Sequence, residues 1–503
     1  MRQQQVTGMA AVMTTVAMSL GSAVAVGDLR ILAANISLVR NGLQFAPGTT
    51  IFVSSVATLT LAASVLGAGV LGDKYGMKRM FVAGAYGAVV FGFIAAAAPN
   101  VAVLMIARAG IGVAFAFLTG LSLAIMNAVF PPGRRAGAIA QYLAAVYAFG
   151  VLPATVGSLL AERIGWRSGF LVTPVLAIVV VLITLRYVPE TRRSPRNTDI
   201  AGLLLVAAAL MSLTYGISVL QSGLDAGALV PIVAGVLAAV AFVWWELRCG
   251  APALDLRIFR SLRFNAVVTA GAANNLVQGG SMVMVTFYLI LIRGQSTWAF
   301  ALLLIPATLL SALAALGAGR AAARLGNCTV VVAGLAVLVV SLLVRLSFDT
   351  DTPIIVVGAV IALTTIGGAI VQTPQATVMM SSAPANLGGV VSAVKASVGG
   401  TFYGLGAALF SMFGIILFLR DTEPKLAGSG ISARQAGDIL AATGDTALDP
   451  GRTAWVISEA TSGMLDAADA LNLIMTVIPA AAIVIVLVLF RRERDVAAEP
   501  ACA

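Results

Sequence analysis

Charged residues inside long apolar segments are the side chains of this sequence best suited to chemistry. Asp28 lies in the first apolar segment and Arg108 in the fourth. A charge in lipid is costly, so residues of this kind are functional candidates, proton transfer among their roles. Two other interpretations stay open. Asp28 can be a paired, solvated carboxylate at the outer end of its span, and Arg108 can be a structural strut.

Further polar side chains in apolar segments are candidates to line a substrate cavity. Arg30 is two residues from Asp28, so a helix turns it toward a different face. Lys395 either faces the cavity, where it would favour anionic groups or lipid phosphates, or reaches the nearby membrane surface. Helix packing accounts for the amides equally well. The candidates are Arg30, Asn274, Asn275, Gln278, Gln372, Gln375 and Lys395.

The elements that carry these residues are membrane-spanning helices. The 503 residues are 60% hydrophobic and 10% charged, which excludes a soluble globular protein. Apolar segments of about 20 residues cross a bilayer as helices, and these segments are too long for barrel strands. The sequence therefore predicts an all-α polytopic membrane protein with 14 transmembrane helices. They are expected near residues 9–32, 49–71, 80–98, 101–129, 136–160, 169–188, 200–221, 226–246, 264–291, 297–318, 328–347, 354–379, 388–419 and 471–490.

The distribution of charge orients the chain. The net charge is +10, and most loop cations lie on one side of the predicted membrane. The positive-inside rule makes that side cytoplasmic, so we expect both termini there, in a plasma (inner) membrane. Cations spread over short loops do not indicate a nucleic-acid partner. Abundant Ala, Gly and Arg suggest a bacterial source. Arg186, Glu246 and Arg345 lie near segment ends, where we expect them to reach the membrane surface.

Residues 420–470 are expected to form a long connection on the outer side. One interpretation is a solvated loop with a short amphipathic element. The other is a lid or partner-binding hairpin over the outer mouth.

A basic turn joins the second and third segments in the pattern G-x-L-x-D-K-x-G-x-K-R. This stretch, residues 69–79, resembles the loop signature of the major facilitator superfamily of secondary transporters. The resemblance implies a gating loop, in which Asp73 would meet the amino terminus of a helix or an arginine such as Arg134. Residues 319–326 repeat the glycine spacing without the acid. The gating residues are Gly69, Asp73, Lys74, Gly76, Lys78 and Arg79.

Motifs elsewhere resemble the 14-span drug:proton antiporter branch of that superfamily. Gly150, Pro153 and Gly157 are similar to its antiporter motif in the fifth span, although Leu152 and Val156 stand where glycines are expected. The resemblance implies two six-helix bundles, at 1–190 and 264–490, separated by two extra spans at 191–263 and followed by a cytoplasmic tail at 491–503.

The resemblance also assigns roles to the charged residues of the first and fourth spans. Arg108 begins an R-x-x-x-G motif linked to proton coupling, and Asp28 falls where the family carries an acidic residue. We therefore expect Asp28 and Arg108 to form the proton-coupling pair.

The sequence favours proton-coupled efflux of hydrophobic or amphipathic small molecules by alternating access. An exporter or flippase of a lipid or anionic metabolite and an uptake symporter are the alternatives. The chain has no histidine, and its three cysteines lack metal-site spacing, so we expect neither a metal nor an enzyme activity. We expect no cofactor beyond the proton gradient, and a monomer whose partners are substrate, protons and the lipid bilayer.

Overall fold

The computed structural model describes residues 6–45, 49–191, 193, 199–220, 225–250, 252, 254, 256–295, 297–382, 387–441 and 449–498. These residues form an all-helical protein. The helices are α1 (Gly8–Leu43), α2 (Thr50–Tyr75), α3 (Met77–Ala96), α4 (Val101–Val129), α5 (Arg135–Arg163), α6 (Trp166–Phe170), α7 (Val172–Tyr187), α8 (Ile200–Leu220), α9 (Ala226–Glu246), α10 (Leu262–Phe287), α11 (Thr297–Leu325), α12 (Asn327–Val344), α13 (Ile354–Ser382), α14 (Gly388–Thr422), α15 (Ala433–Ala441) and α16 (Pro450–Ala498).

Fourteen helical segments of the described chain are long and apolar enough to cross a membrane, which confirms the predicted number. The short α6 and α7 together make one of these segments, Trp166–Tyr187, whereas α15 is too short to span. The fold prediction is therefore correct at the level of helix type and number.

Helix packing divides the spans into two bundles. Helices α1 to α7 pack on one another, and so do α10 to α16. The bundles meet where α2 lies against α14 and where α5 lies against α11. The two extra spans, α8 and α9, pair as a hairpin whose helix α8 contacts both α2 and α14. Two bundles joined along two seams are the arrangement that alternating access requires.

The bundles touch closely on one side of the membrane. We call the side that carries the turn at Gly76 the inner side, which the sequence predicts to be cytoplasmic. A methyl group on Gly69 of α2 would lie 2.6 Å from the carbonyl oxygen of Gly389 in α14. A methyl group on Gly319 of α11 would lie 2.5 Å from the side chain of Ala140 in α5. Only glycine allows these inner contacts, so both seams are closed on that side.

The internal glycine repeat has the same backbone geometry in both bundles. Gly76 separates α2 from α3 with a φ of +106°, and Gly326 separates α11 from α12 with a φ of +87°. Side-chain-bearing residues rarely adopt this left-handed region, so a glycine is needed at each turn.

The expected outer loop at 420–470 is mostly helical. The helix that carries the last predicted span, 471–490, begins well before that span, because α16 already begins at Pro450. Val456 and Ala460 of this extension pack with Phe418 of α14 and with Leu426, and that apolar contact supports helix beyond the membrane. Helix α15 fits the short amphipathic element, whereas residues 442–448 lie outside the described part of the chain.

Candidate functional site

Asp28 and Arg108 form a buried ion pair between α1 and α4. Both side chains are fully buried, and the Arg108 guanidinium donates from Nη1 to Oδ2 of Asp28. The hydroxyl of Thr173, in α7, donates to Oδ1 of Asp28 at 2.5 Å. Both carboxylate oxygens therefore accept hydrogen bonds, and Asp28 connects three helices of the first bundle. Asp28 is buried rather than solvated at the end of its span.

Two nitrogen atoms of Arg108 donate no hydrogen bond within the described part of the chain. Its Nε and Nη2 atoms are buried and have no hydrogen-bond partner among the described residues. The guanidinium carbon lies 5.7 Å from the centre of the Phe170 ring, which gives a weaker cation–π contact. Because most of its interaction energy comes from a single carboxylate, the position of Arg108 depends on the charge of Asp28.

The antiporter-like motif of α5 packs beside this pair. A methyl group on Gly27, the residue before Asp28, would lie 2.6 Å from Cβ of Pro153. One turn farther along α5, Gly157 lies against the side chain of Ile31. Gly150, in contrast, faces open space. Two of the three predicted motif residues therefore contact the part of α1 that carries Asp28.

Helix α1 bends just beyond the ion pair. Asn35 has a non-helical backbone, with φ −113° and ψ 16°. Its amide donates to the carbonyl of Ile31 at 2.9 Å and to the hydroxyl of Ser158 in α5 at 3.2 Å. The side chain of Asn35 thus replaces a backbone partner at the bend and connects the bend to α5.

One face of α1 is buried at its inner end and exposed at its outer end. At the inner end this face is buried, with Ser19 and Ser22 against Tyr142 of α5. At the outer end the same face is exposed, and Arg30 belongs to it. The same face of α1 therefore changes from buried to exposed toward the outer side. The exposed residues are Val26, Arg30, Ala33 and Ser37.

Lys395 lies on α14, in the second bundle, just outward of the contact that closes the inner side. Lys395 is partly exposed on α14, and its ammonium donates to Oε1 of Gln372, in α13, at 2.8 Å. One turn outward, a methyl group on Gly399 would lie 3.7 Å from the amide nitrogen of Asn275 in α10. Lys395 and Gln372 therefore form a polar pair just outward of the Gly69–Gly389 contact, and Asn275 lies one turn farther outward.

The other amide candidates lie inside the second bundle. Gln278 donates to the carbonyl of Thr364 at 2.9 Å, which joins α10 to α13. Asn274 is buried and lies against Gly368, whereas Gln375 is buried against Gly271. These three amides therefore lie where α10 packs against α13. This is the helix-packing role that the sequence left open beside a place in the cavity.

Asp73 connects the two bundles on the inner side. Its Oδ1 accepts from the backbone N–H of Gly389 at 2.8 Å, and its Oδ2 accepts from that of Val390 at 3.1 Å. These are the first N–H groups of α14, which have no partner within their own helix. A carboxylate at this position also interacts favourably with the positive end of the helix dipole. Asp73 therefore caps a helix of the opposite bundle, which is one of the two contacts expected for it from the sequence.

The cations of the same loop contact the end of α7. Arg79 pairs with Glu190 at 3.3 Å, and Lys78 donates to the carbonyl of Leu185 at 3.3 Å. The hydroxyl of Thr191 accepts from the backbone N–H at the start of α3 at 2.9 Å. Lys74 has a cation–π contact with the neighbouring Tyr75, 5.3 Å from the ring centre.

Sequence reasoning missed three residues of these sites. Glu190 and Thr191 hold the gating loop, and an acid next to a basic loop was a signal that could have pointed to Glu190. Thr173 had no such signal, because a threonine in an apolar segment is common and its contact with Asp28 exists only after the chain folds.

The prediction that Arg345 and Glu246 reach the membrane surface is wrong. Arg345 is buried and donates to the hydroxyls of Ser281 and Thr364 at 3.1 and 2.8 Å. Glu246 is also buried and accepts from the backbone N–H of Leu254 at 3.2 Å. In both cases partners inside the protein take part of the hydrogen-bonding capacity of the group, and the side chain is buried instead of reaching water.

Two helical bundles that meet closely on the inner side, the first with a buried ion pair between its helices, are the architecture of a membrane transporter rather than an enzyme. The chain belongs to the Major Facilitator Superfamily, whose family model matches residues 18–411.

Relatives within the superfamily match most of the chain. The multidrug efflux pump LfrA of Mycolicibacterium smegmatis is 28% identical over 475 residues, covering 91% of this chain and 92% of that protein. The tetracenomycin C resistance and export protein of Streptomyces glaucescens is 26% identical over 406 residues, covering 79% of this chain and 75% of that protein.

A solved structure supports the fold independently. The human organic anion transporter MFSD10 (TETRAN) superposes with a TM-score of 0.60 at 14% identity, covering 93% of this chain and 99% of that one. At this identity the likeness supports the arrangement of helices and no statement about the substrate.

Proposed function

We propose that this protein exports hydrophobic or amphipathic small molecules from the cell in exchange for protons. The observation that carries the proposal is the buried Asp28–Arg108 pair, packed against the α5 segment of Pro153 and Gly157. Export of drug-like compounds is the activity in the names of the full-length relatives, and the same activity is proposed here. The membrane is the plasma membrane, with the inner side in the cytoplasm.

The proton acts on the charge of Asp28. The pair is fully buried in the described conformation, so a proton reaches Asp28 only when the helices around it move apart. Neutral Asp28 no longer attracts Arg108, and breaking a buried ion pair costs about 3–5 kcal/mol. A shift of about 5.5 kcal/mol is enough to turn a two-state equilibrium from 1:99 to 99:1. Loss of the Asp28 charge therefore destabilises the conformation in which the pair is formed, by an amount comparable to the shift that a change of conformation requires.

Helix α5 carries this change to the seam between the bundles. Pro153 rests on Gly27 beside the pair, and the inner end of the same helix contacts α11 at Ala140 and Gly319. A displacement of α1 or α4 after protonation therefore reaches the inner seam through one continuous helix. At the other seam, Asp73 releases the amino terminus of α14 when the inner side opens.

Proteoliposomes test the coupling directly. Vesicles with an acidic lumen contain the pH-sensitive dye pyranine, and the substrate panel is ethidium, N-phenyl-1-naphthylamine and 8-anilino-1-naphthalenesulfonate. We expect at least one compound to drive protons out of the lumen with the wild-type protein and not with Asp28→Asn. Asp351→Asn, the same change at an exposed outer site, should behave like the wild type.

Two results would contradict the proposal. One is transport of a compound without any change of lumenal pH, which means uncoupled movement. The other is unchanged proton exchange in the Asp28→Asn protein, which would place the coupling group elsewhere.

A further inference from the structure

The candidate residues of the described spans offer positive charge to a substrate but no free carboxylate. Asp28 is the carboxylate placed well inside a span, and it is fully buried against Arg108 and Thr173. It therefore offers no free charge to a bound substrate. Arg30 is exposed on α1, and Lys395 is partly exposed on α14.

Lys395 is poised to bind a further acceptor. Within the described chain its partner is the neutral amide oxygen of Gln372, so its positive charge is not compensated. An ammonium has three N–H donors, and this contact uses one of them. The side chain is also sheltered, since it is only partly exposed. A half-buried cation with free donors attracts an anionic group more strongly than an exposed cation does.

The surface next to Lys395 has room for a hydrophobic body. Gly399 and Tyr403 follow Lys395 at intervals of four residues, so the three lie along the same side of α14. Gly399 has no side chain, neighbouring Gly400 faces open space, and the Tyr403 side chain is 38% exposed. Tyr403 is two turns from Lys395, which is about 12 Å along the helix at 1.5 Å per residue. This side of α14 therefore presents a cation, then a gap, then an aromatic ring.

We propose that the transported substrates are anionic amphiphiles, whose acidic group binds Lys395 and whose apolar body lies along Gly399 toward Tyr403. The proposal rests on the proposed export function and specifies its substrate class. The amide of Gln372 supplies a neutral hydrogen-bonding group at the anionic end, and Asn275 lies beside Gly399 along the path of the apolar body. Organic cations are disfavoured, because the uncompensated charge of Lys395 repels them.

The test compares two arylamines that share a hydrophobic body. 8-Anilino-1-naphthalenesulfonate carries a sulfonate, N-phenyl-1-naphthylamine lacks it, and ethidium is the cationic probe. We expect the wild type to transport the sulfonate in preference to the other two. Lys395→Gln should lower transport of the sulfonate about tenfold or more, since a charge-assisted hydrogen bond is lost, and leave the neutral compound unchanged. Lys395→Arg keeps the positive charge and should retain transport of the sulfonate.

Controls separate this effect from a general loss of function. Arg163→Gln removes an exposed cation at the outer end of α5 and should transport all three probes like the wild type. Unchanged transport of the neutral compound shows that the Lys395→Gln protein is folded and coupled. If that variant loses every probe, equilibrium binding of the sulfonate to the variant, measured by its fluorescence after thermal stability is verified, decides whether the anion site is lost.

The outcomes distinguish the substrate class from the export function. Preference for ethidium, or wild-type transport of the sulfonate by Lys395→Gln, overturns the anionic class while export stands. Failure of all probes in the wild-type protein, with no proton movement, overturns the export function itself. A parallel assay with fluorescent phosphatidylglycerol identifies the source of the anion: transfer of this lipid points to a lipid headgroup, and transfer of the sulfonate alone points to a free amphiphile.

Discussion

Pro153 of α5 rests directly on Gly27 of α1, the residue that precedes the buried carboxylate of Asp28. A methyl group at Gly27 would lie 2.6 Å from Cβ of Pro153 and 3.0 Å from its Cγ. Because interiors are close-packed, a movement of α1 at Asp28 cannot leave α5 in place. The contact thus couples the charged site to a helix that forms part of the seam between the bundles.

Gly27→Ala should therefore impair transport and stability. The added methyl group forces α1 and α5 apart, and overpacking of this kind costs about 1–3 kcal/mol. Gly67→Ala is the matched control, because Gly67 lies in a helix with open space beside it, where alanine is tolerated or slightly stabilising. Thermal unfolding in detergent and transport in proteoliposomes measure both effects. Equal behaviour of the two variants would show that the α1–α5 contact is not needed.

Asp73→Asn should largely stop transport while the protein still folds. The change removes the negative charge that caps α14 but keeps the size of the side chain. Charge at a helix amino terminus contributes up to about 2 kcal/mol in a partly buried site, enough to shift the balance of conformations roughly 30-fold.

Thiol labelling detects this shift. Ala393 lies in the closed seam, near Gly69 and Gly120, so a cysteine introduced there is protected while the inner side is closed. In a background without the native cysteines, we expect Ala393→Cys to react faster from the inner side when Asp73→Asn is present. Wild-type transport and wild-type labelling in the double variant would disprove the gating role of Asp73.

Thr173→Val should reduce transport, whereas Thr173→Ser should retain it. Valine has the shape of threonine but cannot donate to Oδ1 of Asp28. The Asp28 carboxylate then loses one of its two hydrogen-bond partners. An unsatisfied buried acceptor costs about 1–3 kcal/mol. Transport rate and thermal stability are measured together, and serine is the control because it keeps the hydroxyl. If valine and serine behave alike, the hydroxyl has no role at the pair.

Residues 450–470 should resist hydrogen exchange in the way a helix does. Their amides are hydrogen-bonded in α16, and the apolar side of this extension packs on Phe418. Phe418→Ala removes that support and should speed exchange there, whereas Phe413→Ala, on an exposed face of the same helix α14, should not. Exchange mass spectrometry in detergent gives the answer. Rapid exchange throughout 450–470 in the wild type would favour the solvated loop that the sequence suggested.

The helices and their number could be predicted from the sequence because lipid imposes a local rule. A segment of about 20 apolar residues has to form a helix to satisfy its backbone, whatever its neighbours are. That rule is weaker outside the lipid. The helical extension from Pro450 depends on contact with Phe418, which sequence hydropathy does not report.

The types of the site residues were also visible, but their partners were not. Asp28 and Arg108 stood out because charge is rare in apolar segments, and the glycine-rich basic turn stood out by its spacing. Nothing local indicated that Thr173 completes the ion pair, or that Arg345 would find hydroxyl partners inside the second bundle.

The sequence by itself determined that this is a membrane protein with 14 membrane-spanning helices and with charged residues inside those spans. Hydropathy determines this because it acts on each segment separately. Tertiary structure alone decided what each charge does. Asp73 caps a helix more than 300 residues away in sequence, and Lys395 is partly exposed beside Gln372 while Asn274 is buried in the bundle. These contacts depend on which helix faces pack together, and packing is a property of the whole assembly of helices rather than of any one segment.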